Sequence, residues 1–189
     1  LYNMQLMKFA GEDGVAAYGT IMYVNFIFVS IFLGYAIGSA PIVSYHYGAD
    51  NQDELKNLFL KSIRLIGTWA VSLFVIAQLI ATPLATLFVG YDHGLFALTR
   101  NGFRLYSFAF LINGFNIYGS AFFTALNNGL LSALISFLRT LVFQMAVVLL
   151  LPLLLGINGV WCSVAIAELL TLCVTGTFIV LKRNTYHYL

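Results

Sequence analysis

The chain is 189 residues long, 8% of them charged and 61% hydrophobic, with a formal net charge of +2. Soluble domains carry about 25% charged residues, so a water-soluble fold is excluded, and so small a net charge gives nucleic acid nothing to bind. Cys162 and Cys173 lack CxxC spacing and have no nearby His, which argues against a disulfide framework or a metal centre.

Four runs contain no Asp, Glu, Lys or Arg: Gly14–Ala49, Leu65–Tyr91, Leu105–Leu138 and Thr140–Ala167. A helix needs about 20 mostly apolar residues to cross a bilayer, and each run is long enough. In lipid the backbone must satisfy its own hydrogen bonds, and continuous apolar text without strict alternation favours helices over barrel strands. The expected fold is all-α, a polytopic bundle of about five full transmembrane helices plus a partial one, occupying 1–189 as a single, partial membrane domain. The lipid bilayer is thus the first expected partner.

Leu1–Ala10 reads as the end of an earlier helix, and with a start at Leu1 this suggests a piece of a longer protein. Gly11-Glu12-Asp13-Gly14 reads as a turn. The first full span runs from about Val15 to Tyr47, kinked at Pro41, which removes one ladder hydrogen bond. Gly34 and Gly38 form a GxxxG pair that would let a neighbouring helix approach closely. Asn51 and Glu54 have capping-box spacing, and Ala49–Leu65 reads as an amphipathic segment on the membrane surface. The second span runs about Ile66–Val89, followed by a loop with Asp92, His93 and Arg100. Tyr106–Leu126, Leu130–Leu155 and Val160–Leu181 complete the set, separated by turns at Asn127-Asn128-Gly129 and Gly156–Gly159.

Basic residues set the orientation. Lys56, Lys61, Arg64, Arg139, Lys182 and Arg183 fall on one side, and Lys8, Arg100 and Arg104 on the other, which puts the C-terminus in the cytoplasm. Tyr45, Tyr47, Tyr186 and Tyr188 would then lie near that interface.

Polar residues recur at helical spacing inside the spans. Asn113, Asn116, Ser120, Thr124 and Asn127 share one face of the third, while Ser132, Ser136, Thr140 and Gln144 share one face of the fourth. Asn25 sits near the middle of the first. Two readings stand side by side: hydrogen-bonding glue between packed helices, or the lining of a water-accessible transport cavity, for which Asn113, Asn116, Ser120 and Asn25 are the candidates. Glu168 is the one acid well inside a span, and intramembrane ionisable residues are functional by default. Counted from the span ends, Arg139 lies roughly 14 Å deep and Glu168 roughly 20 Å, within reach of an ion pair. A proton- or cation-handling Glu168 is the other reading. No catalytic motif of the GxSxG, HExxH or phosphate-loop type occurs, so no enzyme activity or bound cofactor is expected.

The segment Gly38-Ser-Ala-Pro41-Ile-Val-Ser44-Tyr45-His-Tyr47-Gly48-Ala49 resembles the end of the eighth helix of the MATE (multidrug and toxic compound extrusion) family. Gly14–Gly19 resembles the opening of that helix, and Pro152 with Gly156-Ile-Asn-Gly159-Val160-Trp161 resembles the turn between helices eleven and twelve, with Ala167-Glu168-Leu169 continuing the likeness. The flavour is that of bacterial DinF-like and MepA-like exporters. The resemblance implies a C-terminal lobe, comprising the end of helix seven and helices eight to twelve of a twelve-helix transporter. That transporter would be a multi-pass protein of the bacterial plasma membrane that pairs this lobe with an N-terminal one. It implies antiport of amphipathic organic cations against Na⁺ or H⁺ by alternating access. A related lipid-linked oligosaccharide flippase and a non-transporting scaffold subunit are the alternatives. Some members carry a coupling carboxylate near the position of Asn116, so the coupling-ion site is expected outside this chain.

Overall fold

The computed structural model describes residues 1–188, almost entirely helical. Helix α1 spans Tyr2–Gly48 and α2 spans Gln52–Val89. Helix α3 (His93–Tyr106) passes through a 3₁₀ turn at Ser107–Ala109 into α4 (Phe110–Ala125). Helix α5 (Gly129–Phe137) continues through a π-helical segment, Leu138–Phe143, into α6 (Gln144–Leu155), and α7 covers Ile157–Tyr186. Counting α3–α4 and α5–α6 as single rods gives five helices long and apolar enough to cross a membrane.

Local chemistry sets the ends. Asn51 caps α2, its side chain accepting from Glu54 N at 3.2 Å, while its own N–H goes to His46 O rather than to Glu54, so only half of the capping box forms. Asp92 caps α3 through Gly94 N and Leu95 N. Asn128 caps α5 through Leu131 N, after Asn127 turns the chain at φ 59°. Gly156, at φ 56°, makes the α6–α7 turn by itself.

Several expected boundaries move. The Gly11–Gly14 turn shrinks to one residue: Gly11 (φ 60°, ψ −149°) leaves the helical region while the chain on both sides stays helical. A lone glycine can supply that break without a loop. Pro41 lies inside α1, but the backbone departs from helical dihedrals at Gly11 and not at Pro41. Ala49–Leu65 is not a separate surface segment, because Gln52 onward is one unbroken 38-residue helix, about 57 Å long. The expected loop with His93 and Arg100 is helical from His93.

The α3–α4 rod is the centre of the bundle. In its most apolar window 61% of residues are buried, against 17–28% in the other four spans. Helices α1, α2, α5 and α7 all pack against α4, while α6 packs against α7. Small residues bring the rods together. A Cβ on Gly114 would stand 2.5 Å from Phe32 and 2.8 Å from Ile66, so α1, α2 and α4 meet there. Gly102 gives way to Trp161, Gly119 to Thr175, and Gly159 to the Leu151 carbonyl. Gly34 and Gly38, the expected packing pair, have nothing within 4 Å of where a Cβ would lie. Tyr188 is fully buried, its ring 5.3 Å from Phe59 and 5.1 Å from Phe122. Burial, with Tyr186 alongside, pushes its phenol above the ordinary range.

Candidate functional site

The polar centre of the bundle is a three-residue network. Arg139, in the π-helical segment, places Nη2 at 2.7 Å and Nε at 2.8 Å from Glu168 Oε1 on α7. Asn116, on α4, donates through Nδ2 to Glu168 Oε2 at 2.7 Å and to the Glu168 carbonyl at 2.8 Å. Each carboxylate oxygen therefore has a donor, and three of the five spans are joined at one point. It is the only ion pair among the described residues.

Why the chain can bury these groups follows from their partners. An isolated carboxylate in hydrocarbon is prohibitively costly, and a paired one becomes tolerable when further hydrogen bonds satisfy it. Asn116 supplies those bonds and is itself completely buried. The Asn116 Oδ1 and Asn113 Oδ1 atoms are buried without hydrogen-bond partners. Neither amide meets open space within the bundle, since Asn113 is only 3% exposed.

The other polar residues form separate knots. Ser120 Oγ lies 2.9 Å from Ser132 Oγ and 3.0 Å from Ser136 Oγ, and Thr124 donates to Ser132 Oγ at 2.7 Å, so the two serine–threonine faces zip α4 to α5. Asn25 accepts from Tyr106 Oη at 3.1 Å, bridging α1 and α3. Gln78 donates to Ser107 Oγ at 2.7 Å, tying α2 to the 3₁₀ turn. Of the residues singled out from sequence, Asn116, Glu168 and Arg139 come together, whereas Asn25 and Ser120 stand apart from them. Sequence reasoning placed Arg139 opposite Glu168 but did not assign Asn116 as their third member.

Two open grooves flank the second half of α1. One, about 450 Å³, runs between α1 and α4 and is lined by Ala36, Ala40, Pro41, Ser44, Ala121 and Thr124 among others. The second, about 310 Å³, contains Gly34 and Gly38 and faces α2 across Leu58 and Ser62. Both are uncharged. Among the described residues no three His, Cys, Asp or Glu side chains are grouped to hold a metal ion.

A family model, MatE, matches residues 1–150. The chain belongs to the MatE family. Its fold is similar to solved MATE structures of low sequence identity. An outward-facing multidrug resistance MATE family transporter of the MOP superfamily matches with a TM-score of 0.90 at 21% identity, over 98% of this chain and 42% of that one. An inward-facing structure of such a transporter matches at 0.89 and 21%, over 98% and 43%. The Vibrio cholerae MATE transporter VcmN in its bent form matches at 0.88 and 16%, over 98% and 42%. The chain therefore spans less than half the length of these structures. No curated protein matches it. As a MatE family member with five apolar spanning helices it is a multi-pass membrane protein.

Proposed function

We propose that this chain forms most of the C-terminal lobe of a secondary antiporter that exports amphipathic organic cations in exchange for Na⁺ or H⁺ by alternating access. The observation that carries the reading is the equal likeness of this bundle to outward-facing and inward-facing MATE structures. A lobe that fits both states equally well is suited to move as a rigid body against a second, N-terminal lobe. The Arg139–Glu168–Asn116 network would serve that rigidity by locking three spans together at depth.

The uncharged grooves beside α1 suit a flat, apolar cation better than an anion. With Arg139 committed to Glu168, the lobe presents no free deep cation to a pyrophosphate, which disfavours a lipid-linked oligosaccharide. Ser120 and Asn25, both part-buried, would border the pathway, and Asn113 and Asn116 would support it from within. The coupling-ion site is assigned to the rest of the transporter. Ethidium efflux from cells producing the full-length protein tests this reading. Faster efflux than in empty cells, abolished by collapsing either the Na⁺ or the proton gradient, is expected. Efflux no faster than in empty cells, or unaffected by loss of both gradients, overturns it.

A further inference from the structure

From the exposed face of α2 we infer that it is a binding site for an anionic phospholipid, with Lys61 and Arg64 holding the headgroup phosphate. Lys61, Arg64, Thr68, Val71, Val75 and Leu79 succeed one another by three or four residues and so share one helical face. All six are exposed, with Val71 at 57% and Leu79 at 71%. The opposite face, from Leu55 through Ile66 and Ala77 to Ala85, is the one buried against the bundle.

The two halves of the stripe differ in chemistry at the depth where a lipid also changes. The cations sit at one end, and from Arg64 to Val75 the helix descends about 16 Å, close to half of the roughly 30 Å hydrocarbon core. Beyond Thr68, whose hydroxyl donates to the Arg64 carbonyl, the face turns aliphatic and matches acyl chains, whereas a free phosphate would find no use for it. Neither cation is neutralised by the protein, because the only ion pair among the described residues joins Arg139 to Glu168. Asp53 and Glu54 lie in the first turn of α2, at least 10 Å farther along the helix from Lys61 by about 1.5 Å per residue. Basic residues near an anionic bilayer surface contribute roughly 1 kcal/mol each, about fivefold in binding. The site rests on the chain crossing a bilayer and not on what it transports, so failure of the efflux assay leaves it intact.

Trp69 supplies the reporter. It is 45% exposed and lies about 7.5 Å farther along the helix than Arg64, whereas Trp161 is 1% exposed and serves as background. The full-length protein, with tryptophans outside these residues changed to Phe, is reconstituted in phosphatidylcholine vesicles containing brominated phosphatidylglycerol or brominated phosphatidylcholine. The phosphatidylglycerol is expected to quench Trp69 at a several-fold lower mole fraction. That preference disappears in Lys61→Gln/Arg64→Gln and persists in Lys182→Gln/Arg183→Gln. Equal quenching by both lipids in the unmodified protein overturns the site, as it would if the rest of the transporter covered this face. So does a preference that survives Lys61→Gln/Arg64→Gln, or one that is lost equally in Lys182→Gln/Arg183→Gln.

Discussion

Removing one side of the Arg139–Glu168 pair has an outcome that depends on which side is removed. The Glu168 side chain is 7% exposed and that of Arg139 is 24% exposed. Arg139→Met strands a carboxylate that cannot reach water, and breaking a buried pair in this way costs about 3–5 kcal/mol. Glu168→Gln leaves a guanidinium that the protein encloses less tightly and whose long stem can carry it toward the membrane interface. The amide oxygen introduced by Glu168→Gln still accepts from Asn116, so the loss should be smaller, about 1–2 kcal/mol. Arg139→Met with Glu168→Gln leaves no unpaired charge and should be less destabilising than Arg139→Met alone. Reversible unfolding of the purified protein in mixed detergent micelles, read by helical circular dichroism, measures all three variants against the unmodified protein. The coupling of the double-mutant cycle should exceed the Glu168→Gln loss, at least about 1 kcal/mol by this reasoning. Equal losses for the two single variants, or strictly additive losses in the double, would refute the claim that burial asymmetry governs the pair.

Two more outcomes follow from packing. Gly114→Ala drives a methyl into Phe32 and Ile66 and should destabilise by about 1–3 kcal/mol; Gly34→Ala, which meets nothing within 4 Å, should change stability by less than about 0.5 kcal/mol or raise it. The same unfolding measurement separates the two glycines. Tyr188→Ala empties a site between Phe59 and Phe122 and removes the donor to Ile179 O, so a loss of about 3–5 kcal/mol is expected, whereas Tyr45→Ala at a 72% exposed ring should be nearly silent.

The spans were legible because charge is expensive in lipid, and the charge-free runs mark where the chain cannot face water. Their ends were less so. His93–Arg104 holds two arginines and reads as loop by hydropathy, yet its backbone is helical from the Asp92 cap onward. Hydropathy reports the solvent of a segment, not whether its hydrogen-bond ladder continues. The same confusion split Gln52–Val89 at the membrane surface. Depth counting from the span ends was enough to pair Arg139 with Glu168, since two opposite charges in hydrocarbon have few alternatives. Asn116 had many possible partners along its face, and nothing in its spacing singles out a carboxylate. Gly34 and Gly38 carry a packing signature, but a signature cannot say whether a neighbour is present to use it, and the close approaches fell to Gly102, Gly114, Gly119 and Gly159 instead.

The π-helical segment Leu138–Phe143 also changes how its rod addresses its neighbours. A π turn accommodates one surplus residue, which advances everything beyond it by about 100° around the helix axis. Upstream, Ser132 and Ser136 are aimed at Ser120 on α4; downstream, Val148 and Pro152 are the buried positions of α6, which packs on α7. The extra residue acts as a phase shifter, letting one continuous rod present its first half to one partner and its second half to another. Arg139 sits at the change of phase and reaches Glu168 on α7 from there.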